Sequence, residues 1–181
     1  VVYAEFDLRG NQWREPDGTI HNSPLLHDSV TPLKTGEFFF VQDIALLERI
    51  HPTVQFFDYN DKLKTRMWIA TYINGWQFQE PLPDTHVGSD SVRFSNDQGI
   101  LSMTCYASDE RPGLVLLQRK GLQGPFLRRQ ITDYTFPYQM HPVLVSEPKN
   151  GLLHLFWSEG DAVNPANLMY GKVSLELDHT K

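Results

Sequence analysis

The sequence predicts an all-β fold, and three observations carry that prediction. Short runs rich in Val, Ile, Phe, Tyr and Trp recur along the chain, and turn residues interrupt them roughly every 8 to 12 residues. Asn-Gly stands between such runs at Asn74-Gly75 and again at Asn150-Gly151, and both residue types tolerate the positive φ of a tight hairpin. A strand–turn–strand unit also recurs at a spacing of roughly 40 to 50 residues, the range of blade repeats. It opens at His51-Pro52-Thr53-Val54, at Asp90-Ser91-Val92-Arg93 and at His141-Pro142-Val143. The architecture implied is a β-propeller made of four-stranded antiparallel blades, about 4 blades or part of a larger ring, with residues 1–181 as one domain. A β-sandwich is the alternative.

Val1-Val2-Tyr3-Ala4-Glu5-Phe6 already reads as a strand, so the chain is expected to be a mature, processed or truncated product. Arg14-Glu15-Pro16-Asp17-Gly18 turns the chain. The order Asn, Trp, Glu-Pro at Asn11, Trp13 and Glu15-Pro16 returns at Asn74, Trp76 and Glu80-Pro81, a second sign of repetition. Residues 20–50 fit the repeat least. There Ser23-Pro24-Leu25-Leu26-His27 reads as an inner strand, and Gly36 to Val41 as an aromatic strand bounded by Gly. Asp43 to Ile50 is the one stretch with helical spacing: Ile44, Leu47 and Ile50 share a face and Asp43 caps the first turn, with a turn or loop insertion as the other reading. From His51 the pattern is regular. Strands are predicted at 53–59, 66–73, 91–95, 100–107, 114–119, 126–131, 143–146, 152–158 and 168–177. Turns fall between them at Asn74-Gly75, Asp97 to Gly99, Arg111-Pro112-Gly113, Gly121 to Gly124, Asn150-Gly151 and Asn164-Pro165.

The charge balance of 16 basic against 22 acidic residues, net −6, argues against nucleic acid and against an anionic membrane as partners, since both are held by clustered Lys and Arg. No run of about 18 apolar residues offers a membrane-spanning helix. Cys105 is the single cysteine and lies in an apolar run, so it reads as a buried, inert thiol. No cofactor is expected, because Walker, Gly-x-Gly-x-x-Gly and Gly-x-Ser-x-Gly patterns are all missing. No metal is expected either: a Cys pair and a His-Glu-x-x-His run are lacking, and the Asp58-Tyr59-Asn60-Asp61 turn does not follow a calcium-loop pattern.

The repeated units resemble blades of the Asp-box-related (BNR-type) β-propellers, above all the propellers of polysaccharide lyases of the ulvan type. The resemblance rests on His51-Pro52-x-Val54, His141-Pro142-Val143, Leu155-Phe156-Trp157-Ser158-Glu159 and the strand-ending Trp13 and Trp76, and it covers most of the chain outside 20–50. The full Asp-box, Ser-x-Asp-x-Gly-x-Thr-Trp, is absent; Ser95-Asn96-Asp97-Gln98-Gly99 echoes part of it. The resemblance implies β-elimination on a uronic-acid-containing glycan by a His, Tyr and Arg set on the propeller face. In that chemistry an Arg fork neutralises the carboxylate, while Tyr or His moves the protons. The catalytic candidates are Tyr106 and Arg119, across one predicted hairpin, with His51 and His141 opening inner strands; His21 and His27 are further histidines. Substrate-binding candidates are Trp157, Glu159, Tyr72 and Arg66. Each has a plainer reading: a His before Pro bonded to backbone, a Tyr packed at a strand end, an Arg paired across strands, a carboxylate in a loop.

The expected partner is a polysaccharide or oligosaccharide, with a second chain to complete the propeller if one chain supplies too few blades. The expected location is secreted or periplasmic. Glycoside hydrolysis would need two flanking carboxylates, for which Glu159 with Asp161 and Asp58 with Asp61 are the choices. The alternative to an enzyme is a non-catalytic glycan-binding or protein-interaction propeller in which Trp68, Trp76 and Trp157 stack on the ligand.

Overall fold

A computed structural model describes residues 1–25, 29–35, 38–59, 65–83, 86–87, 93–97, 99–108, 112–133, 138–161 and 165–174. These form four antiparallel sheets, each a consecutive stretch of sequence, and no α-helix occurs among the described residues. The first sheet is β1 (Glu5–Asp7), β2 (Gln12–Arg14) and β3 (Ile20–Asn22). The second is the meander β4 (Phe39–Leu47), β5 (His51–Asp58), β6 (Arg66–Tyr72) and β7 (Trp76–Gln79). In the third, β8 (His86–Val87) and β9 (Arg93–Asp97) share one edge of β10 (Ile100–Ser108), followed by β11 (Gly113–Lys120) and β12 (Leu127–Gln130). The fourth is β13 (Tyr138–Glu147), β14 (Leu152–Gly160) and β15 (Pro165–Ser174).

Alternation along the strands decides what each sheet face meets. On the third sheet Leu101, Met103, Cys105, Ala107, Val115 and Leu117 share one face, and they pack against Leu47, Phe57, Met67 and Ile69 of the second. Leu114 and Leu116 point the other way, into Leu153, Leu155 and Trp157 of the fourth. The β10–β11 hairpin is therefore buried on both faces, and even its polar Ser102, Thr104 and Gln118 are buried. Each fully buried Leu, Met or Phe contributes about 1.5 to 3 kcal/mol through removal from water. The far face of the second sheet, with Val54, Phe56 and Ala70, is covered by Leu33 and by Val1 and Tyr3 from the N-terminal segment. That segment is tied down by the Val1 ammonium, which donates to the Lys34 carbonyl at 3.0 Å.

Two local expectations are corrected. Residues 43–50 are not a helix: β4 runs through Leu47, with a bulge between Val41 and Asp43, and Leu47 pairs with His51. Positive φ at Glu48 (50°) and Arg49 (66°), with the Ile50 N–H on the Leu47 carbonyl at 3.1 Å, forms the mirror-image turn that suits strand twist. The helical spacing was accidental, for Ile44 and Ile50 are exposed and Leu47 alone reaches the core. The turn at Asn150-Gly151 is also larger than the dipeptide implies. Glu147 pairs with Leu152, so four residues connect the strands; Pro148–Asn150 is a 3₁₀ turn and Gly151 takes the positive φ of 61°. At Asn74-Gly75 both residues do adopt positive φ, 55° and 138°. An inner strand at Ser23 to His27 is not formed up to Leu25; the strand lies earlier, at Ile20–Asn22, and residues 26–28 fall outside the described set.

Candidate functional site

Arg119 is the penultimate residue of β11 and follows Val115 and Leu117 on the face turned to the second sheet. Alternation thus carries a guanidinium to the end of an apolar inter-sheet core. Arg119 is 3% exposed. Its Nη1 donates to Gln79 Oε1 at 2.7 Å, and its guanidinium carbon lies 5.0 Å from the centre of the Phe126 ring. Nε and Nη2 are buried and have no hydrogen-bond partner among the described residues. Burial pushes the guanidinium down to about 10, which leaves it charged at neutral pH but poorly solvated.

Arg119 opens onto a pocket of about 230 Å³ between the two sheets. Thr71, Gln77 and Gln79 come from the second sheet, and Leu122, Gln123 and Gly124 from the turn after β11. Gln79 bridges the sheets: its amide nitrogen donates to the Gly124 carbonyl at 2.8 Å while its oxygen takes the Arg119 bond. Gln55, Ile69 and Gln79 are direct neighbours across β5, β6 and β7, and both amide atoms of Gln55 are buried without a partner among the described residues. No carboxylate lies among the described lining residues. The pocket is therefore walled by neutral amides and one guanidinium, whose Nη1 is held by Gln79 while Nε and Nη2 are buried.

The other sequence candidates do not join Arg119. Tyr106 pairs with Leu114, whereas Arg119 pairs with Leu101. The two stand roughly 17 Å apart along the hairpin, five residues at about 3.4 Å each, and on opposite faces. His51 opens β5 and its Nδ1–H donates to the Tyr72 carbonyl at 3.0 Å. His141 is exposed at a bulge of β13, with φ of 50°, so the two His-Pro units occupy different backbone settings. Tyr72 packs edge-on to Trp76 at 5.4 Å, and Trp76 in turn meets Tyr3 at 5.7 Å, on the face away from the pocket. Arg66 is engaged: its Nε donates to Glu80 Oε1 at 2.8 Å and its Nη2 to Glu80 Oε2. Trp157 is 7% exposed, and its indole N–H donates to the equally buried Glu159 at 2.9 Å, which places both inside the fold.

The residues that sequence reasoning missed are Thr71, Gln77, Gln79 and Gln123. Gln77 and Gln79 did leave a signal, two amides at period 2 on the strand that follows Asn74-Gly75. Among the described residues, no group of three or more His, Cys, Asp or Glu is placed to hold a metal ion.

No protein-family model matches the chain, and no curated protein matches it. Among solved structures, the chain is similar to the crystal structure of an endo-1,4-beta-xylanase from Bacteroides thetaiotaomicron VPI-5482, at 9% sequence identity and a TM-score of 0.47, over 96% of this chain and 70% of that one.

Proposed function

We propose that the chain is a glycan-binding β-propeller module that takes an acidic saccharide by its carboxylate in the Arg119 pocket. The observation that carries this reading is the buried guanidinium with Nε and Nη2 unmet beside an open, amide-lined pocket. A uronate carboxylate is planar and matches the guanidinium fork, and the surrounding Gln side chains can bond sugar hydroxyls. Consecutive antiparallel meanders stacked face to face, second on third on fourth, support the blade reading. Arg119 keeps the role of carboxylate neutraliser that β-elimination would need. Tyr106, His51 and His141 lie elsewhere, so binding is favoured over elimination.

Calorimetric titration with an oligogalacturonate and with its methyl-esterified form tests this. The acid form is expected to bind at least about tenfold more tightly, and Arg119→Met to lose that margin, a change of about 1.4 kcal/mol. Equal binding of both forms to wild type would overturn the reading. A rise in near-ultraviolet absorbance during incubation would mark an unsaturated product and restore the lyase reading. Ligand-free Arg119→Met is expected to unfold at the same or a higher urea concentration, because an unmet buried charge costs stability. The sign with pH follows. The folded guanidinium, down to about 10, holds its proton less tightly than the unfolded one, so stability rises as pH climbs through that value in wild type and not in Arg119→Met.

A further inference from the structure

A second constellation stands on the outer face of the fourth sheet, apart from the Arg119 pocket. Glu147, His154 and Tyr170 come from β13, β14 and β15 in turn. His154 Nε2 lies 2.9 Å from Glu147 Oε2, and His154 Nδ1 lies 2.8 Å from the Tyr170 hydroxyl. Asn150 donates to the other Glu147 oxygen at 2.7 Å and fixes the carboxylate. The bonds from His154 and Asn150 hold the Glu147 carboxyl below the usual carboxylate range, so it is ionised and can only accept. A neutral His154 must therefore carry its proton on Nε2. Its Nδ1 is then bare and accepts the Tyr170 O–H.

The phenol is reachable, with Tyr170 48% exposed, and the apolar Val143 and Val145 are exposed on the same face. Phe156 lies 5.0 Å from the Tyr170 ring, and the Lys172 ammonium 6.0 Å from it. Register explains the assembly: Val143, Phe156 and Tyr170 form one cross-strand row, and Val145, His154 and Lys172 the next. The hydrogen bonds run diagonally between rows.

We infer that Tyr170 is a nucleophile activated by His154, with Glu147 orienting the imidazole, and that it accepts an acyl group from an activated aryl ester lying on the Val143–Phe156 strip. The Tyr170 oxygen forms a bond to the acyl carbon, the ester C–O bond breaks, the aryloxide leaves with its electron pair, and the phenol proton passes to His154 Nδ1. Tyr170 is the residue that reacts; Glu147 is a positioning residue.

The probe is 4-nitrophenyl acetate, read by nitrophenolate release and by peptide mapping of the acetylated site. Tyr170 is expected to be acetylated at least tenfold faster than the chain's other tyrosines, and Tyr170→Phe to remove that fast phase. His154→Gln is expected to slow the site to the rate of the other tyrosines, with Glu147→Gln between. Acidification is expected to slow the wild type and to leave the residual rate of His154→Gln without that step. Circular dichroism and urea unfolding show which variants keep the fold. Labelling of Tyr170 no faster than other tyrosines in the wild type overturns the inference without recourse to any variant. So does an unchanged rate and pH profile in a folded His154→Gln.

Discussion

Gly113→Ala is expected to destabilise the protein by on the order of 3 to 5 kcal/mol, a large share of a typical domain's total. Gly113 opens β11 at φ of 143°, a backbone conformation open to glycine. A Cβ there would stand 2.4 Å from the Thr132 carbonyl oxygen and 2.8 Å from its Oγ1. Thr132 cannot withdraw cheaply. Its Oγ1 accepts the Leu114 N–H at 2.8 Å, and its own N–H donates to the Leu114 carbonyl at 3.2 Å. Urea unfolding should show a lower midpoint at an unchanged slope. Gly151→Ala is the matched control: φ is 61° but nothing lies within 4 Å, so the conformational cost of about 1 kcal/mol stands alone. Equal losses for the two variants would refute the steric argument.

Phe57→Ala is expected to cost about 3 to 5 kcal/mol. Phe57 is 0% exposed and sits in the core where Met67, Ile69, Leu101 and Met103 of two sheets meet. Truncation removes the ring from both sheets at once, and neither sheet can close the gap without breaking its own ladder. Phe40, on the neighbouring strand, is 52% exposed, and its truncation should stay within about 0.5 kcal/mol. A loss at Phe57 below about 1 kcal/mol would mean that the two sheets are not held together by this core.

Most strands from His51 onward were legible because apolar, β-branched and aromatic residues fill the runs, as in β5 and β10, and Gly and Asn mark the turns; β7, which carries Gln77 and Gln79, was not predicted. Arg119 was singled out for another reason, as the arginine opposite Tyr106 across one predicted hairpin in the His, Tyr and Arg set that the resemblance implies. Its contacts with Gln79 and Phe126 were not legible. Whether Tyr106 meets Arg119 depends on register and parity across β10 and β11, and a slip of one residue exchanges the faces. The two His-Pro units look alike as text, yet a bulge between Met140 and Val143 turns one of them outward. Trp157 read as a platform for a sugar. The ring instead packs inside the fold with Leu114 of the third sheet and with Leu155, Leu144 and Met169, and no feature of the local sequence announces that.

The double burial of the β10–β11 hairpin has a consequence for solvent exchange. A strand buried on one face can let water reach its amides when a single interface breathes. This hairpin feeds one core through Leu101, Met103 and Leu117 and another through Leu114 and Leu116, so opening it means parting both. Its amides should exchange with deuterium at the rate of global unfolding, slower than those of β4 or β15, and should keep the longest record of the native state as denaturant is added.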